Sequence, residues 1–250
     1  MSGAADGAAE RSGAPVALVT GGARRLGRHL CTRLAARGYD LVVFYRTSEE
    51  DARSLEAALT AAGRRVRCLA VDIGQKAQVA AAFADIGARE GRVDLLVNNV
   101  GNYNPQPVAA LDPDHWDNTL AANLSGAYYC AYHALALMPD GGNIVNIGMA
   151  GLDGLRAQPR GTDYYVSKTG LLVLTRALAA AYATRQIRVN MVSPGQLENS
   201  IDLAPPDEIG LEVPLGRAGS LDDVAQALEY VLDAPYVTGV NIDVAGGYRL

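Results

Sequence analysis

A tyrosine and a lysine four residues apart, Tyr164 and Lys168, form the pair in this sequence best suited to acid–base chemistry. Only two of the chain's 22 basic side chains are lysines, and lysine is the cation whose pKa a protein shifts most readily. On a helix the two side chains would lie on one face. A neighbouring ammonium lowers the pKa of a phenol from about 10 toward neutrality. The spacing makes Tyr164 a candidate general acid/base, although an isolated pair of this type also occurs on solvated helix surfaces.

Two kinds of segment alternate along the chain and must position this pair. Short β-branched runs predict strands at Val16–Thr20, Leu41–Tyr45, Val66–Val71, Leu95–Asn98, Asn143–Ile147, Ile187–Val192 and Val240–Val244. Helical periodicity between them predicts helices near 25–37, 49–62, 75–90, 113–138, 163–184 and 220–232. Apolar strands separated by helices are typical of a parallel sheet covered on both faces. We therefore predict an α/β fold with a single doubly wound parallel sheet of Rossmann type.

The length and composition of the chain indicate its domain organisation. With 250 residues and 49% hydrophobic content, the chain can bury one sizeable core. Residues 1–14 are small and polar, which predicts a disordered tail before a single domain over 15–250. The Pro-bearing stretch 197–216 follows the sixth predicted strand. Because ligands bind beyond the carboxyl ends of such strands, this stretch is predicted to form a short lid over the substrate.

Charge and composition also exclude several classes of protein. The formal net charge is −5 and no block of Lys or Arg occurs, which argues against a nucleic-acid partner. No apolar run reaches the length of a membrane span, and the first 14 residues lack the apolar core of a signal peptide. A cytoplasmic protein without a membrane partner is the expectation. Cys31, Cys68 and Cys130 are odd in number and widely spaced, which predicts buried thiols and no metal site.

The first predicted strand runs into a glycine-rich turn, Gly21-Gly22-Ala23-Arg24-Arg25-Leu26-Gly27, and then into a helix. Glycines permit a tight turn and close approach of a pyrophosphate, and the helix N-terminus supplies unpaired N–H groups. Any strand-to-helix turn can use glycine. The position of this turn directly after the first strand is what favours a cofactor-binding role. The predicted phosphate-binding residues are Gly21, Arg24, Arg25, Leu26 and Gly27.

The second predicted strand is followed by a cation and two hydroxyl groups, Arg46, Thr47 and Ser48. An acidic residue at this strand end would accept the ribose hydroxyls of NAD. Guanidinium groups here and at Arg24 suit the 2′-phosphate of NADP, which they can bind in bidentate fashion. We therefore predict NADP(H) over NAD(H). The alternative is that both arginines are only solvated.

Further motifs follow in order over essentially the whole of residues 15–250. They are Thr20-Gly21…Gly27, Asp72, Asn98-Asn99-Val100-Gly101, Asn123, Tyr164…Lys168, Ser193-Pro194-Gly195, Pro214-Leu215-Gly216-Arg217 and Thr238-Gly239…Gly246-Gly247. This set resembles the short-chain dehydrogenase/reductase family, and within it the 3-oxoacyl reductases and pteridine reductases. The resemblance implies a homo-oligomer, a tetramer or dimer built through the fourth and fifth helices.

The resemblance also implies roles for individual residues. Tyr164, Lys168 and Asn123 would be catalytic, with Asn123 positioning a water linked to Lys168. Asp72 would lie at the adenine, Asn98 to Gly101 would border the cofactor, and Pro194 and Gly195 would face the nicotinamide. The cofactor contacts implied beyond the first turn and Arg46–Ser48 are Asp72, Ile73, Asn99, Gly101, Lys168, Pro194 and Gly195.

Two positions depart from the family pattern. Arg25 stands where the first turn of the family usually has its middle glycine. Pteridine reductases resemble this chain here, because their turn also carries consecutive basic residues. Arg25 could reach over the cofactor toward the substrate, or it could contact phosphate alone. Met149 stands where a catalytic Ser is normal, and no Ser or Thr occurs between Ile147 and Gly161. Methionine donates no hydrogen bond. One of the two hydrogen-bond donors that usually hold the substrate oxygen in this family is therefore missing.

The sequence favours an NADPH-dependent reductase of a ketone or aldehyde C=O in a small-molecule or acyl substrate. Tyr164 would protonate the developing alkoxide. One alternative is reduction of a C=N bond in a pteridine or cyclic imine, and another is a cofactor-binding protein without turnover. Arg156 and Arg160 could receive an acidic carrier protein, but a solvated surface explains them as well. The residues expected beside the substrate are Met149, Tyr103, Asp153 and Gln196.

Overall fold

Seven runs of β-branched and apolar residues form the strands of one parallel sheet. The structure is a computed structural model, and it describes residues 13–154, 157–200 and 208–249. The strands are β1 (Val16–Thr20), β2 (Asp40–Tyr45), β3 (Val66–Ala70), β4 (Leu95–Asn98), β5 (Asn143–Ile147), β6 (Arg188–Pro194) and β7 (Asn241–Val244). Their order is β3-β2-β1-β4-β5-β6-β7, and all neighbours are parallel. The predicted doubly wound sheet is confirmed.

Helices cover both faces of this sheet. They are α1 (Arg25–Ala36), α2 (Glu49–Ala61), α3 (Lys76–Arg89), α4 (Pro113–Leu120), α5 (Gly126–Leu137), α6 (Thr162–Tyr182), α7 (Ile209–Glu212) and α8 (Leu221–Asp233). Apolar residues of α1, α2 and α8 pack on one face with Ala17 and Val19. Those of α3, α5 and α6 pack on the other with Val16 and Leu18. Because both faces of β1 are buried, this strand is apolar throughout.

The predicted helix over 113–138 is divided in the structure. Asp112 caps α4 by accepting a hydrogen bond from the His115 N–H at 2.8 Å. After Leu120 the chain widens into a π-helical turn over Ala121–Ser125 before α5 begins. Such widened turns are frequent at functional sites, and this one carries Asn123. The sequence pattern does not reveal it, because a π turn adds only one residue between hydrogen-bonded groups.

The sheet order places a crevice beside β1. β1 lies between β2 and β4, so the chain moves away from β1 in opposite directions on its two sides. Ligands bind at such switch points, beyond the carboxyl ends of the strands. Residues 201–207 of the predicted lid over 197–216, and residues 1–12 of the predicted tail, lie outside the described residues.

Two further sequence predictions concern thiols and membrane spans. Cys31 and Cys130 are buried and Cys68 is half-buried, and all three are free. Burial raises the pKa of the Cys130 thiol to about 12, so this thiol stays protonated and unreactive near neutral pH. Within the described ranges, no helix combines the length and the apolar character that crossing a membrane requires.

Candidate active site

A cavity of about 570 Å³ opens at the carboxyl ends of the strands. Its walls come from segments that are distant in sequence, namely the loops after all seven strands and the first turns of α6. The predicted site residues that line it are Gly21, Arg24, Arg25, Leu26, Gly27, Arg46, Thr47, Ser48, Asp72, Ile73, Asn99, Gly101, Tyr103, Met149, Tyr164, Lys168, Pro194, Gly195 and Gln196.

The glycine-rich turn is closed against the loop after β4. Gly21 has a left-handed backbone, with φ at +61°. A Cβ at Gly27 would collide with the Gly21 carbonyl oxygen and with Asn99. The Asn99 Nδ2 group donates to the carbonyl oxygens of Thr20 and Gly21 at 3.0 and 3.1 Å. Only glycine permits this approach, which leaves the N-terminal turn of α1 open to the cavity for an anion.

Arg25 occupies a backbone position that suits glycine. Its φ is +47°, in the left-handed region, which costs a non-glycine residue about 1–2 kcal/mol. The side chain therefore projects from a strained position at the start of α1, and it lines the cavity. Backbone strain of this kind concentrates at functional sites, which favours a role for Arg25 beyond that of a turn residue.

The cavity end beyond β2 and β3 is basic and polar. Arg46, Thr47 and Ser48 follow β2, and Asp72 follows β3. One carboxylate oxygen of Asp72 is already hydrogen-bonded, because its Oδ1 accepts from the Gly74 N–H at 3.0 Å. Arg24 contacts Asp51 with 3.3 Å between Nε and Oδ2, and both side chains are about half exposed. An ion pair this exposed contributes little, so Arg24 can turn to a ligand at small cost.

Lys168 is buried beneath the cavity. Its side chain is 1% exposed, and its Nζ donates to the Ile147 carbonyl oxygen at 2.8 Å. The Nζ lies 5.8 Å from the centre of the Tyr164 ring, as the four-residue spacing on α6 predicts. Desolvation by burial lowers the pKa of Lys168 from 10.5 to about 8. At neutral pH the site therefore holds a positive charge directly under Tyr164.

Aromatic side chains surround Tyr164. The Tyr103 ring packs edge-on against it at 4.8 Å between centroids, and the Tyr165 ring lies 6.2 Å away. Helix geometry alone predicts that Tyr165 points away from the site. In the structure Tyr165 is buried yet also lines the cavity.

Asn123 and Asn98 lie behind the cavity wall and do not line it. Asn123 holds the backbone of Asn102: its Oδ1 accepts from the Asn102 N–H at 2.6 Å, and its Nδ2 donates to the Asn102 carbonyl at 3.0 Å. The same Nδ2 donates to Ser167 Oγ at 3.1 Å. The Asn98 Nδ2 group donates to Asn146 Oδ1 across the sheet at 2.9 Å, so the Asn98 side chain is directed into the sheet, and its predicted place beside the cofactor stays a prediction. Both asparagines shape the wall from inside.

The comparisons with known proteins agree with this geometry. The sequence model of the family described as "Enoyl-(Acyl carrier protein) reductase" matches residues 21–249. A 3-oxoacyl-[acyl-carrier-protein] reductase from Bos taurus is 36% identical over 242 residues, covering 94% of this chain and 98% of its own. The chain belongs to the short-chain dehydrogenase/reductase family. The predicted resemblance is confirmed.

Solved structures superpose on this chain along nearly its whole length. A short-chain dehydrogenase/reductase from Serratia marcescens has a TM-score of 0.88 at 28% identity, covering 96% of this chain and 99% of its own. A blue fluorescent protein from a metagenomic library, solved in complex with NADPH, has a TM-score of 0.87 at 34% identity. It covers 94% of this chain and 98% of its own.

The sequence predicts that Met149 takes the place of the family's catalytic Ser. Its side chain is 9% exposed and packs with Tyr165, Leu171 and Leu172 at the edge of a small apolar cluster. It also lines the cavity. The position therefore presents an apolar thioether to a ligand and offers no proton.

Asp153 is placed differently from the prediction. It does not line the cavity in the described part of the chain. Its Oδ1 lies 3.1 Å from Arg176 Nη2, with the carboxylate side chain 65% exposed. The loop after β5 turns outward after Leu152, which is buried, and it carries Asp153 to the surface of α6. The prediction that Asp153 lies beside the substrate stays a prediction, and this arrangement does not favour it.

Sequence reasoning missed the contribution of the last residues of the chain. Tyr248 and Arg249 line the cavity, together with Asn102, Asn199 and Ser200. Asn102 and Tyr248 directly follow predicted motifs and could have been found by extending those motifs, and Asn199 and Ser200 lie in the predicted lid. Nothing in the sequence indicates that Arg249 reaches the cavity, because its place depends on the path of the chain after β7.

Proposed function

We propose that this protein is an NADPH-dependent reductase that delivers hydride to a ketone or aldehyde carbonyl. The observation that carries the proposal is the position of Tyr164 above the buried Lys168, in the same cavity as the glycine-rich turn. A general acid, a buried cation and a phosphate-binding turn in one crevice suit reduction with a dinucleotide. An inactive cofactor-binding protein has no need for a buried ammonium, whose desolvation costs free energy.

The residues present fit NADPH. The turn from Gly21 to Gly27 leaves room that a Cβ would fill, and the first turn of α1 offers N–H groups to a pyrophosphate. Arg46 and Arg24, beyond β2 and β1, would bind the 2′-phosphate. Pro194 and Gly195, at the end of β6, would border the nicotinamide. When bound, NADPH supplies the hydride, and the protein supplies orientation and the proton.

Tyr164 would donate its phenolic proton to the alkoxide oxygen as charge develops there. The Lys168 ammonium, fixed by the Ile147 carbonyl, stabilises the phenolate that remains. Asn123 acts through others: it holds the Asn102 backbone and Ser167, and so fixes the wall facing Tyr164. We interpret Asn123 as a positioning residue, because its side chain does not line the cavity.

A second candidate reaction is the reduction of a C=N bond. Arg25, strained and facing the cavity, can stack on a planar heterocycle such as a pterin. Met149 offers no proton, and an imine nitrogen needs only the single donor that Tyr164 provides. Carbonyl reduction remains our proposal, because the phenol and the buried ammonium suit a developing oxyanion.

The proposed assembly is a homo-oligomer formed through α5 and α6. Large apolar side chains are exposed on these two helices, namely Tyr128, Tyr132, Val166 and Val173. Exposed apolar residues on adjoining helices are typical of subunit interfaces. Light scattering after gel filtration gives the mass of the assembly, and Val173→Glu should reduce this mass.

The sequence analysis named Arg156 and Arg160 as residues that could receive a carrier protein. Arg156 lies outside the described residues, and Arg160 donates a hydrogen bond to the Pro105 carbonyl.

The test is a screen of NADPH oxidation with ketones, acyl thioesters and pterins. Tyr164→Phe should lower turnover by about 10²–10⁴-fold, the usual contribution of a positioned general acid, and should leave NADPH affinity nearly unchanged. Tyr165→Phe, one position along the same helix, should have a much smaller effect. Turnover of pterins alone would replace the carbonyl assignment with C=N reduction. NADPH binding without turnover of any class would indicate a cofactor-binding protein.

A further inference from the structure

Arg249, near the carboxyl end of the chain, returns to the cavity after β7. Its guanidinium carbon lies 5.2 Å from the centre of the Tyr165 ring and 5.0 Å from that of Tyr248. Arg249 packs so closely on the loop after β5 that a Cβ at Gly151 would lie 2.8 Å from the Arg249 Cβ and 3.3 Å from its carbonyl oxygen. Arg249 is therefore held against the loop that carries Met149.

The sheet order shows which half of the cavity Arg249 serves. Arg46 follows β2, whereas Arg249 packs on the loop after β5. Three strand spacings separate β2 from β5, which is about 14 Å at about 4.8 Å per strand. Arg249 therefore lies too far from the 2′-phosphate site beside Arg46 to assist it. Its guanidinium packs on Tyr165, whose ring lies 6.2 Å from the ring of Tyr164.

The backbone of Arg249 is strained. Among the described residues, only Arg25, Gln186 and Arg249 are non-glycine residues with a left-handed backbone. Two of these three are arginines that line the cavity. The φ of Arg249 is +61°, a conformation that persists only where the surroundings enforce it. Backbone strain of this kind concentrates at functional sites and ligand-binding segments.

The charge of Arg249 has no acidic partner within the described ranges, where the ion pairs involve other residues. The nearby Asp243 is already engaged: its Oδ2 accepts from the Gly151 N–H and its Oδ1 from Asn241 Nδ2. Asp72, at the other end, is the only acidic residue among the described residues of the cavity wall. In a chain of net charge −5, this cavity is therefore a basic region.

We propose that Arg249 determines substrate specificity by binding a carboxylate of the carbonyl substrate. The inference rests on the proposed reductase function and names the substrate class, an oxo acid. A guanidinium binds a carboxylate through two parallel hydrogen bonds, and one cation balances the single charge of this group. Tyr165 separates the guanidinium from Tyr164, so the carboxylate lies beyond the reacting carbon. Met149, on the same wall, would pack on the chain between them.

The experiment compares a series of oxo acids, in which the carboxylate stands progressively further from the ketone, with their methyl esters. Native protein and Arg249→Gln are assayed with saturating NADPH, and the measured quantity is the acid-to-ester ratio of kcat/KM. We expect the native ratio to exceed one at the best chain length. Arg249→Gln should lower it roughly 10- to 100-fold, the value of a charge-assisted contact, and mainly through KM. Arg249→Lys should retain part of it.

Arg176→Gln is the matched control, because it removes a cation that pairs with Asp153 outside the cavity. This control should leave the ratio unchanged. A native ratio near one at every chain length, or an equal loss on acid and ester in Arg249→Gln, overturns the inference.

Failure of the proposed function has a different signature, which is no turnover of either acid or ester. In that case calorimetric titration of the same acids and esters into the NADP⁺-saturated protein decides the inference. Acid binding that is lost in Arg249→Gln supports it. Equal binding of acid and ester, or no binding of either, refutes it.

Discussion

Replacing Lys168 with methionine should stabilise the cofactor-free protein while abolishing its activity. Burial lowers the pKa of Lys168 from 10.5 to about 8. At 1.36 kcal/mol per pH unit this difference corresponds to about 3 kcal/mol of unfavourable free energy for holding the ammonium inside the folded protein. Methionine is similar in length and carries no charge. The substitution also removes the hydrogen bond to the Ile147 carbonyl, and an acceptor left without a donor costs about 1–2 kcal/mol. The expected net gain at pH 7 is about 1–2 kcal/mol.

The pH dependence of this gain follows from the direction of the shift. The pKa of Lys168 is lower in the folded state than in the unfolded state. Between pH 8 and pH 10.5 the unfolded chain therefore binds more protons, and the native protein gains stability as the pH rises through this window. Lys168→Met has no such group. Its advantage should be full below pH 8 and should shrink toward pH 10.5.

Urea unfolding at fixed protomer concentration, from pH 7 to pH 10, measures this difference. Lys76→Met is the matched control, because it makes the same substitution at the chain's other lysine, which is exposed at the start of α3. The control should show neither the gain nor its pH dependence. If Lys168→Met were less stable than the native protein at pH 7, or if its advantage were constant up to pH 10, the buried ammonium would not carry the cost derived above.

Three further substitutions test other parts of the site. Arg46→Ala should remove most of the preference for NADPH over NADH, a change of about 1.5–3 kcal/mol. The control Arg53→Ala, on the exposed face of α2, should leave this preference unchanged. Equal affinities of the native protein for the two cofactors would refute the 2′-phosphate site. Met149→Ser should raise turnover of small ketones modestly, since it adds a hydrogen-bond donor but also creates a cavity. Met149→Ala creates a cavity without adding a donor and should not raise turnover. A fall in turnover of every ketone in Met149→Ser would show that the thioether is required. Arg25→Gly should relieve the strain of a left-handed backbone and leave the variant at least as stable as the native protein, but it should weaken ligand binding. The control Gln186→Gly relieves similar strain outside the cavity, so it should change stability without changing ligand binding.

The amino-acid sequence determined the features that depend on neighbours close along the chain. The four-residue spacing of Tyr164 and Lys168 placed both on one face of α6, because helix geometry is local. The glycines of the first turn indicated a close backbone approach, because only glycine tolerates it. Continuous apolar runs separated by helical periods predicted the parallel sheet, since a strand buried on both faces must be apolar throughout.

The tertiary structure decided what depends on contacts between segments distant in sequence. The same lysine could have been solvated, and only packing against β5 buries it and shifts its pKa. Asp153 and Arg249 differ in the same way. The sequence placed Asp153 at the substrate, but the loop after β5 carries it to the surface, and the chain after β7 brings Arg249 to the cavity instead. Loop direction is set by side-chain packing between elements, which spacing along the chain does not encode.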